Sequence, residues 1–449
     1  MKEGPLSFLF ERWAGAADQP AMVCDDRAIS YRDLSAAVRC WGAHLGAAGV
    51  EPGDVVAVTA EFGLESVACL LAAVQHRAVV VPLSATLGER AEMFCAIAEV
   101  QWTIEPAVGP EMHRRAGAPP HPLLGQLRAT GHPGLVLFSS GSTGASKAAV
   151  HDLVPLLAKF TTARAALRAV SFLLFDHIGG FNTLLATLSS LGCVVVAEDR
   201  SPAAICRLIE RWGVQLLPTS PTFLNLLLVS RAYTDHDLSS LRLITSGTEP
   251  MPEATLARLG RALPGVELKQ TYGLSEVGIL RTKSRGSDSL WMRMGGEGYE
   301  LRVVDGQLEI LAEAAMLGYL NAPSPFTPDG WFRTGDAVDT DGEWLRVLGR
   351  TSEIINVGGE KVYPAEVEGV LQRLDGVLDA VVHGEPHPLV GQIVVARLQI
   401  DTGEDLSSLR RRVRAQCRGQ LEPFKIPQKI EIAATDLHGQ RWKKKRSAA

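Results

Sequence analysis

Apolar and polar positions fall into short alternating blocks over the first 250 residues. Apolar residues at helical spacing run from Leu34 to Leu45, capped by Asp33 and stopped at Gly49, and Pro52-Gly53-Asp54 turns the chain. A β-branched run at 55–59 predicts a strand, 64–76 a helix and 78–82 a second strand. After an irregular stretch rich in Pro, Gly, His and Arg at 105–131, the rhythm resumes. Strands are predicted at 135–138, 171–175, 193–197, 214–218 and 241–246, with helices at 153–170, 181–191 and 202–212. Such β-α-β alternation builds a parallel sheet covered by helices. From 298 to 320 the texture changes to β segments and turns. A last unit follows, with helices at 364–374 and 406–420 and strands at 378–384 and 392–400. The expected fold class is α/β: a large N-terminal domain of parallel-rich sheets with packed helices and a β-subdomain, then a small α+β C-terminal domain.

At 449 residues the chain exceeds one core and suits two or three domains. A net charge of −5 gives no general case for nucleic acid. Only the end is basic: residues 441–446 read RWKKKR, which predicts a solvated, frayed terminus, with contact to a phosphate or an acidic carrier surface as the alternative. Seven scattered cysteines without a C-x-x-C pair suit reduced thiols rather than disulfides or zinc. The first residues lack a signal-peptide pattern, and apolar runs such as 78–83 fall far short of a membrane span. A soluble cytoplasmic protein is expected, without nucleic-acid or membrane partners, as a monomer or homodimer.

The densest chemistry lies at 139–147, directly behind the apolar run at 135–138. Gly141 and Gly144 let the backbone curl so that several N–H groups point at one anion. Ser139, Ser140, Ser142, Thr143 and Ser146 add neutral donors, and Lys147 adds a point charge suited to phosphate. The Gly–Lys spacing and Ala148 exclude a Walker loop. A polyphosphate is the natural ligand. Four further signatures follow in order: Gln270-Thr271-Tyr272-Gly273-Leu274-Ser275-Glu276; Trp331 to Asp336, ending in an acid suited to a ribose diol; Gly349-Arg350; and Gly358-Gly359 opening the last unit.

With these motifs the chain resembles the acyl-adenylate-forming superfamily of acyl-CoA synthetases, non-ribosomal adenylation domains and luciferases, from about Ile29 to its end. The resemblance implies an N-terminal domain at 1–349, a hinge at 350–352 and a mobile C-terminal domain at 353–449. It implies ATP and Mg2+ as cofactors: a carboxylate attacks the α-phosphorus, pyrophosphate leaves, and a pantetheine thiol of CoA or of a carrier protein then takes the acyl group. By the same resemblance the loop holds the β- and γ-phosphates, Glu276 binds the metal, and Ser275 touches the α-phosphate or the acyl carboxylate. Gly247, Thr248 and Glu249 match the adenine-lining strand end, with Thr271 and Gly273 beside them and Tyr272 stacked on the base. Asp336 and Arg350 meet the ribose, and Gly358-Gly359 lines the pantetheine tunnel.

Two positions depart from the family pattern. Ser352 stands where an aspartate or lysine usually marks the hinge. Gln440 follows Gly439 where a catalytic lysine is usual, so Lys443 or Arg441 from a shifted register is the candidate replacement, and a degenerate nucleotide-binding protein is the alternative. The acyl pocket is expected along Phe175-Asp176-His177-Ile178-Gly179-Gly180-Phe181, near Ser246 and from Gly273 to Ile279. His177 resembles the histidine beside the carboxylate in aryl- and acyl-CoA ligases, with Gly179 and Gly180 leaving room for a flat or extended group. Asp176 instead matches the aspartate that binds the ammonium in amino-acid-activating domains. An aryl or medium-length acid ranks first and an amino acid second. An amine acceptor, including nitrogen–nitrogen bond formation, stays open.

Overall fold

The structure is a computed structural model that describes residues 4–115, 121–140, 146–401, 403–433, 437–439, 444 and 446. Two seven-stranded sheets form the body of the N-terminal domain. One runs Glu267–Gln270, Leu243–Ser246, Leu216–Thr219, Arg168–Val170, Cys193–Val195, Pro20–Cys24 and Arg27–Ser30, parallel except for its last pair. The other centres on the parallel strands Val79–Leu83 and Val55–Thr59. Alternation of side chains puts Val56 and Val58 against one set of helices and Val55 and Ala57 against another. Helices Tyr31–Ala48, Leu64–Gln75 and Ile178–Ser189 fill the space between the sheets, burying Trp41, Leu45, Leu71, Phe181 and Leu188. Further helices cover both outer faces.

A six-stranded antiparallel sheet, which includes Phe332–Asp341 and Trp344–Arg350, forms the β-subdomain with its own core. The C-terminal domain carries a separate core on strands Val377–His387 and Gly391–Ile400 and helices Pro364–Leu371 and Leu406–Cys417. Among the described residues, no helix is long and apolar enough to cross a membrane.

Several sequence expectations need correction. The first long helix is capped by Ser30 rather than Asp33: Asp33 N–H donates to Ser30 Oγ at 3.1 Å, and Ser30 N–H donates back to Asp33 Oδ2 at 3.2 Å. The helix expected at 153–170 ends at Ala158, and beyond it Arg12 reaches across 149 positions to the carbonyl of Thr161 and also binds that of Ser189. The strand expected at 171–175 lies earlier, at Arg168–Val170. The stretch 105–131 contributes the edge strand Met112–Arg114 and helix Pro122–Thr130.

Candidate active site

The two described ends of the serine–glycine stretch face each other across an antiparallel pair of strands. Strand Gly134–Ser140 pairs with Ser146–Asp152, with Ser139 opposite Lys147 and Ser140 opposite Ser146. Gly141, Ser142, Thr143 and Gly144 lie outside the described residues. The returning strand carries Lys147 and then His151, which is completely buried. His151 Nε2 sits 2.5 Å from the carbonyl oxygen of Ser275. Burial lowers the imidazole pKa, so the neutral ring donates its N–H to that carbonyl.

Ser275 and Glu276 occupy the tip of a second, small hairpin in which Gly273 pairs with Ile279 and Leu274 with Gly278. Gly273 is needed there, since a Cβ would stand 2.7 Å from the carbonyl oxygen of Gly278. Glu276 Oε1 accepts a hydrogen bond from Tyr319 at 2.6 Å, and the Glu276 carbonyl accepts one from Met316 N–H at 2.7 Å. Lys147 Nζ lies 5.3 Å from the centre of the Tyr319 ring.

Asp336 and Arg350 stand directly opposite each other on neighbouring strands. Arg350 Nε is 2.9 Å from Asp336 Oδ1, and Tyr272 donates its hydroxyl to Asp336 Oδ2 at 2.5 Å. Burial raises the Asp336 pKa, opposed by the guanidinium of Arg350 and the Tyr272 hydroxyl. Tyr272 immediately precedes Gly273, so its hydrogen bond to Asp336 ties the second hairpin to this pair. The Tyr272 ring is mostly buried, clustered with Val277, Met294 and Tyr319.

The strand end Ser246-Gly247-Thr248-Glu249 closes the ring of elements. Gly247 packs so closely that a Cβ would meet Thr271 Oγ1 at 2.5 Å. Thr248 adopts φ +75°, a left-handed conformation that costs a β-branched residue, and its buried Oγ1 has no hydrogen-bond partner among the described residues. Glu249 is committed locally: its Oε1 accepts from Thr222 N–H at 2.8 Å and from the Thr222 hydroxyl at the start of helix Pro221–Ser230.

The residues expected along the acyl pocket gather at the start of helix Ile178–Ser189. His177 is the N-cap of helix Ile178–Ser189, its Nδ1 accepting from Gly179 N–H at 3.0 Å. The Cβ side of Gly179 and of Gly180 is filled by neighbouring residues. A Cβ on Gly180 would sit 2.0 Å from the Leu174 carbonyl oxygen, and one on Gly179 would sit 2.7 Å from Leu173 Cδ1. Asp176 is buried, and its charge and that of Glu61 act on Arg200.

In the C-terminal domain, Gly358 and Gly359 have φ +62° and +94° and turn the chain between strands Ile355–Val357 and Glu360–Val362, with open space around both. That is a two-residue hairpin turn, which by itself demands glycine. The basic tail is not frayed at the two positions the structure describes. Lys444 Nζ lies 3.1 Å from Glu368 Oε2 and 2.8 Å from the Ala380 carbonyl. Arg446 forks onto both oxygens of Glu368, at 3.0 and 2.9 Å, and reaches Glu353 at 2.9 Å. Burial alone would raise the Glu368 pKa, but Arg446 and Lys444 hold it at about 2. Burial excludes solvent from these cations, so they are structural partners of Glu368. Gln440, Arg441 and Lys443 lie outside the described residues.

Residues that sequence reasoning missed are therefore His151, Tyr319 and Glu368. Tyr319 lies in the short strand Gly318–Tyr319, and its partner Glu276 is 43 positions away.

These features define an adenylate-forming architecture. Residues 9–115 and 127–320 match the AMP-binding enzyme family, and residues 366–444 match the AMP-binding enzyme C-terminal domain. The chain therefore belongs to the AMP-binding enzyme family. It is 31% identical to 3-[(3aS,4S,7aS)-7a-methyl-1,5-dioxo-octahydro-1H-inden-4-yl]propanoyl:CoA ligase of Mycobacterium tuberculosis, over 92% of both chains. It is 29% identical to a feruloyl-CoA synthase of Amycolatopsis over 90% of both. The fold is that of the anthranilate CoA ligase AuaEII in complex with anthranoyl-AMP, at a TM-score of 0.84 and 21% identity, covering 98% of this chain and 95% of the other.

Proposed function

We propose that this protein activates a small carboxylic acid with ATP as acyl-AMP and then passes the acyl group to the thiol of coenzyme A. The observation that carries the reading is the convergence of three separate elements: the Ser139–Lys147 rung, the Glu276 hairpin tip and the Asp336–Arg350 pair. In-line attack at phosphorus needs positioning and charge neutralisation more than covalent help. Lys147 and the loop hydroxyls hold the departing pyrophosphate, and Ser275 orients the reacting carboxylate. Asp336 has used one lone pair on each oxygen, for Arg350 and Tyr272, so two remain for ribose hydroxyls. The unpartnered Thr248 Oγ1 fits a polar atom of adenine or of the acyl group.

Among the described residues no group of three His, Cys, Asp or Glu could hold a metal ion by itself. A lone carboxylate suits Mg2+, which keeps phosphate and water oxygens as most of its ligands. Glu276 would hold Mg2+, whose chemistry there is to offset phosphate charge. The second cation of the adenylation step falls to Lys443 rather than the neutral Gln440. The swing of residues 353–449 about 350–352, and a cytoplasmic setting, belong to the same proposal.

An aryl or medium-length acid is the preferred substrate. The likeness to a feruloyl-CoA synthase supports that preference. ATP–pyrophosphate exchange across aryl, fatty and amino acids tests the reading, with coenzyme A, a carrier protein and an amine then offered as acceptors. Aryl or fatty acids should support exchange, and coenzyme A should trap the product. Loss of exchange in Lys443→Ala but not in Gln440→Ala is expected, and the reverse result rejects the shifted lysine. Tight AMP binding without exchange for any acid would establish a degenerate nucleotide-binding protein instead.

A further inference from the structure

Lys147 and Glu276 bring opposite charges into one site, and two such groups attract each other whenever no ligand separates them. Tyr319 touches both. Its hydroxyl donates to Glu276 Oε1 at 2.6 Å, while its ring lies 5.3 Å from Lys147 Nζ, within the range of a cation–π contact.

We propose that Tyr319 is a positioning residue that holds the Glu276 carboxylate and the Lys147 ammonium apart and aimed, ready for a metal-bound nucleoside triphosphate. The inference rests on the adenylate-forming reading of this site. The backbone around Tyr319 is fixed to the same strand that carries Lys147. Tyr319 pairs with Ala149, Leu320 N–H donates to the Ala148 carbonyl at 2.9 Å, and Asn321 clasps Ala148 N–H and the Ser146 carbonyl, each at 2.9 Å. Three residues upstream, Met316 N–H holds the Glu276 carbonyl. One short segment, 316–321, thus grips both hairpins and places a ring between their charged groups. With Oε1 held by the phenol, the carboxylate cannot rotate freely. Such partners of metal-binding side chains typically tune metal affinity by about 10–100-fold.

The test is a Mg2+ titration of ATP binding in the absence of any acid, on the full chain and on Tyr319→Phe and Tyr319→Leu. Tyr319→Phe should raise the half-saturating Mg2+ about tenfold while leaving ATP affinity at saturating Mg2+ within about twofold. Tyr319→Leu, which also removes the ring, should weaken ATP at saturating Mg2+ by a further factor of about three. A wild-type Mg2+ requirement in Tyr319→Phe overturns the inference. So does a loss of ATP affinity that is equal at every Mg2+ concentration and accompanied by a lower melting temperature, since that is a purely structural role. If the wild-type chain binds Mg2+ and ATP yet exchanges pyrophosphate with no acid, the adenylation reading fails while this titration still decides Tyr319. A wild-type chain that binds no ATP overturns both.

Discussion

The two ends of the site are built on opposite plans. In the N-terminal domain Lys147 and Glu276 lie near the tips of two hairpins that Tyr319 bridges, and Asp336 pairs with Arg350 across neighbouring strands. In the C-terminal domain the charges are matched internally: Lys444 and Arg446 share Glu368, with Asp379 beside Lys444 and Glu353 beside Arg446. Charge density on a sequence therefore says little about availability. A buried, mutually satisfied cluster and a ligand-facing one have the same composition.

That contrast can be broken most forcefully at Glu368. Replacing it by Gln leaves Lys444 and Arg446 without their shared carboxylate and should cost the protein about 3–5 kcal/mol in denaturant unfolding. A loss below 1 kcal/mol would mean that the cluster is open to water after all. The same carboxylate makes a pH signature. Its folded pKa of about 2 lies below the ordinary 4.5, so its contribution is complete above pH 4.5 and fades as pH falls from there toward 2. Melting temperature against pH should show that fall in the wild type and a flatter profile in Glu368→Gln.

Glu276→Gln should do the reverse: pyrophosphate exchange drops by about 10²–10³-fold with little change in melting. An equal fall in melting would place Glu276 with the structural charges. A smaller effect separates the glycines. Gly180→Ala drives a methyl into the Leu174 carbonyl and should destabilise by about 1–3 kcal/mol, whereas Gly359→Ala meets only open space and a left-handed φ, at about 1 kcal/mol. Urea unfolding of the two variants should keep that order, and its inversion would show that the 358–359 turn is the more constrained.

Much of the site was legible because its parts are local. The Ser139 to Lys147 stretch, Asp336 and Arg350 each lie in a short motif of residues close in sequence, although the pairing of Asp336 with Arg350 emerged only in the ladder. Their shared element types, strand followed by polar turn, also made the N-terminal sheets readable. What escaped was set by distant partners. Arg12 holds the carbonyl of Thr161 across 149 positions, Glu368 awaits cations 76 and 78 positions on, and Tyr319 meets Glu276 across 43. Periodicity carries no record of such pairs. His177 shows the converse case, where a residue type suited to catalysis caps a helix in the structure.

The rung between Ser139 and Lys147 also fixes which way the returning strand presents its lysine. Side chains alternate sides along a strand, so a slip of this pairing by one residue would turn the Lys147 ammonium to the other face of the ladder, away from Tyr319. The register of one β ladder thus sets the direction of a charge.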